Sequence, residues 1–105
     1  MVDPELNELR REFLDEADLK AREIEASLEG RFNGGSLDRL AYLAHQLKGS
    51  GGSYGYARIS SDAASIEKAA EALASGARED GTEEKIRDLV MSLLQEIAKS
   101  RSELA

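Results

Sequence analysis

The chain holds one histidine, His45, and no cysteine. Chemistry that needs a ring nitrogen as nucleophile or base therefore has a single address. A neutral imidazole nitrogen can attack an aspartyl phosphate and carry the phosphoryl group as a phosphohistidine. The lack of Cys removes disulfides, thiolate metal sites and Cys nucleophiles. One His without Cys argues against a transition-metal site. The acidic runs (Asp15-Glu16, Glu79-Asp80, Glu83-Glu84) read as solvated faces and not as a carboxylate cage in the core. No cofactor is expected.

The neighbours of His45 sharpen this reading. At helical spacing its face holds Ala41 at i−4, Lys48 at i+3, Gly49 at i+4 and Gly52 at i+7. Such a bare surface would let another protein approach the imidazole, and Lys48 would compensate an anion placed on the ring. Gly49, Gly51 and Gly52 all fall inside a helical pattern, where each costs about 1 kcal/mol relative to Ala. A concentration of unfavourable residues at one place points to a packing or functional reason. Gly51 belongs to the inward stripe and reads as a packing glycine. Ala41, Tyr42, Gly49 and Gly52 are the expected docking surface, while Tyr54 suits either that surface or rim packing.

Four amphipathic helices are expected to position these groups. The first opens at Asp3-Pro4, an N-cap followed by a proline suited to the first helical position. Its apolar stripe is Leu6, Leu9, Phe13, Ala17, Ala21, Ile24 and Leu28, and Gly30 to Gly35 ends it, with Phe32 as a candidate plug. Ser36 is the expected cap of the second helix, whose stripe is Leu37, Leu40, Ala44, Leu47 and Gly51, with Gly55 as a left-handed stop. The third carries Ile59, Ala63, Ile66, Ala70 and Leu73 and closes at Gly76. Thr82 or Asp80 would cap the fourth, which carries Ile86, Val90, Leu93 and Ile97, flanked by Leu89 and Leu94. Steps of three and four joined by short loops predict an all-α, antiparallel up-down four-helix bundle, one domain over residues 1–105.

Composition sets the outer limits. Fourteen Lys and Arg against 21 Asp and Glu leave a net charge of −7. That argues against nucleic acid as a partner, because phosphate contacts need a basic footprint, and against docking on anionic membranes. There is no apolar run of about 18 residues for a membrane span. The start, MVDPELNELRREF, lacks the pattern of a signal peptide. A cytoplasmic location is expected.

The run His45-Gln46-Leu47-Lys48-Gly49-Ser50, with Gly55 beyond it and an apolar helix through Ile59 and Ile66 to Glu67, resembles the histidine-containing phosphotransfer (HPt) domain family. The signature there is a phosphorylatable His followed by x-Leu-Lys-Gly-Ser and a downstream Gly. Gly51 and Gly52 stand where Ala or Ser is more frequent, and Tyr54 where Leu is. The resemblance covers the whole chain. It implies a four-helix bundle with His45 exposed on the second helix and carrying the phosphoryl group, assisted electrostatically by Lys48, with Gly49 leaving room for the partner. The implied partners are a sensor histidine kinase and the receiver domain of a response regulator, which supplies the Mg²⁺ and the acidic pocket. On this reading the chain is a phosphocarrier without autonomous catalysis. Two other classes stay open on the residues alone: an adaptor bundle with an incidental surface His, and a group-transfer enzyme using His45 as base.

Overall fold

The computed structural model describes residues 3–28, 34–76 and 81–104. Four α-helices follow one another: α1 (Pro4–Ser27), α2 (Gly34–Ser53), α3 (Ala57–Ala74) and α4 (Thr82–Leu104). The Asp3 carboxylate caps α1 by accepting from the backbone N–H groups of Glu5 (3.0 Å) and Leu6 (3.4 Å), two of the donors that a helix start leaves unpaired. Helix α2 stops in a Schellman turn. Gly55 takes φ +84°, its N–H donates to the Gly52 carbonyl at 3.2 Å, and Tyr56 N–H donates to the Gly51 carbonyl at 2.8 Å. Gly76 ends α3 at φ +88°.

Cross-helix contacts fix the directions. Arg11, early in α1, donates to the Leu104 carbonyl at the end of α4 (3.1 Å), and Arg87, early in α4, donates to the Leu28 carbonyl after α1 (2.6 Å). These two helices are therefore antiparallel. Glu23 pairs with Arg39 at 2.7 Å and Phe13 stacks on Tyr54 at 5.1 Å, so α1 and α2 are antiparallel too. The tight turn reverses α3 against α2. Each helix packs its backbone closely against two neighbours, α2 most extensively on α3, while α1 and α3 stand diagonally across the bundle, as do α2 and α4. The result is a rod of about 49 × 20 × 19 Å.

The apolar stripes meet along the axis of this rod. Leu14, Ile24, Leu40, Leu47, Ile59, Ile66, Ile86, Leu93 and Ile97 are fully buried, and each such side chain contributes about 1.5–3 kcal/mol. Of two buried polar residues among the described ones, Asp62 and Ser100, Asp62 accepts from the Ser92 hydroxyl at 2.9 Å and ties α3 to α4. No helix among the described residues is long and apolar enough to cross a membrane.

Some expectations are corrected. Leu6 and Leu9 are exposed (37% and 47%), whereas Leu14, off the expected stripe, is buried completely. Three successive steps of four separate Leu9 from Ala21, and each step of four overshoots a full turn by about 40°. Leu9 is therefore turned off the core. Leu6, about five full turns before the buried Ile24 and on the same face, is exposed because it stands in the first turn of α1, at the outer end of the helix. Ser36 does not cap α2: the helix begins at Gly34, which also draws Gly34 and Gly35 out of the expected break. Thr82 is the first residue of α4 and not its cap. The Gly81 carbonyl accepts from Lys85 N–H at 2.8 Å, which puts Gly81 at the cap. Phe32 and Asp80 lie outside the described residues.

Candidate functional site

His45 stands in the middle of α2 with its side chain 64% exposed. Ala44 and Leu47 on either side of it are buried, so core packing fixes the rotation of the helix and holds the imidazole at the surface. Its Nδ1 lies 2.8 Å from Glu67 Oε2 on α3. The other carboxylate oxygen, Oε1, accepts from Lys48 Nζ at 3.0 Å. Glu67 is the most buried of the three, with 15% of its side chain exposed. Burial pushes its carboxyl up, but the hydrogen bonds from Lys48 and His45, with the charges behind them, outweigh burial and hold it below the ordinary value. Glu67 is ionised at neutral pH and can only accept hydrogen bonds. The proton between it and the ring therefore sits on Nδ1, so that in the neutral imidazole the lone pair is that of Nε2, turned away from α3.

Of the residues expected at the site, Lys48 is adjacent to His45 but points to Glu67, half-exposed across the α2/α3 seam. Its role is bound up with that carboxylate. Gly49 is exposed, and a Cβ added there would meet nothing within 4 Å. Gly52 is exposed at the rim of the seam, where a Cβ would sit 3.6 Å from the Ser60 hydroxyl. Tyr42 lies on the surface, its OH accepting from Gln46 Nε2 at 2.8 Å and its ring under the Arg39 guanidinium at 5.6 Å. Ala41 is half-buried against the core and offers the surface little. Tyr54 is rim packing, stacked on Phe13.

Glu67 is the residue that sequence reasoning left without a role. A signal was present. In an antiparallel pair, residues at similar distances from the turn lie level, and His45 is ten residues before Gly55 while Glu67 is twelve after it.

Two open grooves meet at His45. One, between α2 and α3, is lined by Lys48, Ser61, Glu67 and Lys68 among others. The second runs along the α1 side of α2, past Lys20, Gln46, Gly49 and Ser50. No group of three or more His, Cys, Asp or Glu among the described residues is placed to hold a metal ion. What the arrangement offers is a tautomer-fixed imidazole on an open, small-residue surface.

No curated protein and no solved structure matches this chain. The family model described as the Hpt domain matches residues 8–103, nearly the full length and all four helices. Helical bundle, exposed histidine and family match agree: the chain belongs to the Hpt domain family, whose members carry phosphoryl groups in two-component signalling.

Proposed function

We propose that residues 1–105 act as a single phosphotransfer unit in which His45 is the phosphoryl carrier. Nε2 attacks the phosphorus of an aspartyl phosphate on a receiver domain. The N–P bond forms, the acyl P–O bond breaks, and the carboxylate leaves on the partner. The Nδ1 proton stays in place, so the ring becomes a phosphorylated imidazolium whose positive charge faces the Glu67 carboxylate. Reversal onto another receiver aspartate restores the neutral ring. A sensor histidine kinase is the alternative donor. The partner brings the Mg²⁺ and the acidic pocket, and this chain brings the nucleophile, so it is a carrier and not a catalyst. Lys48 assists through Glu67. Tyr42, Gly49 and Gly52 form the surface over which the partner closes, with Ala41 at its inner edge. Such partners place the chain in the cytoplasm.

The observation that carries this reading is the 2.8 Å contact between Nδ1 and Glu67, because it fixes a nucleophilic Nε2 on an exposed ring. The test is phosphoryl acceptance from receiver domains charged with acetyl phosphate. Wild type should take an acid-labile, alkali-stable label. His45→Gln should take none yet stay folded, its melt lowered by no more than the loss of one hydrogen bond to Glu67, since the position is otherwise exposed. Label on the Gln variant would refute the assignment. A wild-type chain that stays unlabelled across a panel of charged receivers would leave a scaffold role.

A further inference from the structure

Lys48, the cation that the sequence sets beside His45, is held on the α3 side of the ring by Glu67 at 3.0 Å. The two nitrogens of an imidazole face nearly opposite ways, so with Nδ1 turned to Glu67, Nε2 faces away from α3. A phosphoryl group on Nε2 would project there, over the groove that His45 shares with Gly49, Ser50 and Lys20 of α1. Gly49 leaves that space open. Lys20 is largely covered, with 22% of its side chain exposed, and its ion-pair partner is Glu16 on its own helix at 3.2 Å, itself 66% exposed. An i, i+4 pair whose acidic partner is this exposed is weak and readily exchanged.

Resting on the phosphocarrier reading, we infer that Lys20 is the phosphoryl-facing cation of this site, leaving Glu16 to meet the dianion on His45 Nε2, while Lys48 serves to position Glu67. The requirement is chemical. Transfer brings a dianionic group onto a protein of net charge −7, and a cation on the phosphoryl side stabilises both the transition state and the carried group. Lys68 lines the opposite groove with Glu67 and is the matched control.

The experiment compares Lys20→Ala, Lys20→Arg and Lys68→Ala, with wild type and His45→Gln as references. It measures the rate of label uptake from an acetyl-phosphate-charged receiver at low and high salt, and the ³¹P resonance of the phosphorylated protein freed of its partner. Lys20→Ala should slow transfer by about three- to tenfold, as expected for one partly exposed charge contact. That deficit should shrink as salt rises, and Lys20→Arg should restore the rate. The ³¹P resonance should move in Lys20→Ala and stay in place in Lys68→Ala. Wild-type rates in Lys20→Ala would overturn the role of Lys20 while leaving His45 as carrier. Slowed transfer with an unmoved ³¹P resonance would also overturn it, since Lys20 would then touch the partner and not the phosphoryl group. Absence of label on wild type would remove the carrier reading and this inference together.

Discussion

Gly49 and Gly51 are two residues apart on one helix and occupy opposite worlds. A Cβ on Gly51 would lie 3.1 Å from the Ser60 backbone nitrogen and 3.4 Å from Ile59 Cγ2. Here α2 and α3 approach so closely that a side chain has nowhere to go. A Cβ on Gly49 would meet open space. Neither glycine has a positive φ, so backbone conformation requires neither. One is explained by the fold. The other has no explanation inside the molecule, and the carrier reading supplies one outside it: a second protein must come close to His45. The same helix thus shows how a structural and a functional glycine are told apart, by what a methyl group would touch.

Paired substitutions would break or sharpen this contrast. The largest effect is expected for Gly49→Leu, which should remain folded yet lose phosphotransfer by about 100-fold or more, because small misplacements of reacting groups cost that much. Transfer kinetics beside a thermal melt would show it. Gly51→Leu should do the reverse, destabilising by about 1–3 kcal/mol or more through overpacking against backbone, read as a lower denaturation midpoint. If Gly49→Leu unfolds and Gly51→Leu stays stable, the two faces have been exchanged.

Glu67→Gln tests the α2/α3 seam from the site's side. With the Glu67 carboxyl held below its ordinary value of 4.5, its ionised form stabilises the fold above that pH, and the contribution is lost as pH falls through the lower folded value. Wild type should exceed the Gln variant by about 1 kcal/mol at pH 7, and denaturation series should show the gap closing below about pH 4.5. A gap unchanged down to pH 3 would mean that Lys48 and His45 do not hold the carboxylate in solution. The smallest effect is that of Gly49→Ala. Its backbone is helical and its surroundings empty, so the variant should gain about 0.5–1 kcal/mol. A lower melting temperature would show that Gly49 packs after all.

The helices and the placement of His45 were legible in the sequence because periodicity reports which face is buried, and α2 obeys it from Leu37 to Gly51. Leu9 misled because residues spaced by four drift around the helix, and Leu6 because periodicity reports a face but not where along the helix the packing partners end. Caps were harder. Ser36 and Thr82 have capping chemistry, but α2 begins three residues and α4 one residue earlier than those caps require, and backbone dihedrals decide that. The partnership of His45 with Glu67 depends on the register of α2 against α3. Periodicity says nothing about register. The turn at Gly55 sets it, so counting outward from that glycine is the step that would have paired them.

That turn has a consequence for how the molecule comes together. It brings His45 to Glu67 across 22 positions of chain, whereas Arg11 and Leu104 meet across 93. Closing a short loop loses less entropy than closing a long one, and local contacts favour early formation. The α2–α3 hairpin should therefore be the first part of the protein to organise, and the seam between α1 and α4 the last to form and the first to open. Native-state hydrogen exchange should find the amides of α2 and α3 around the turn opening only with global unfolding, and those at the outer ends of α1 and α4 exchanging through smaller openings. Faster exchange around His45 than at those ends would contradict this order. The carrier face would then be the part of the molecule that outlasts its loosening, with its tautomer set whenever the hairpin exists.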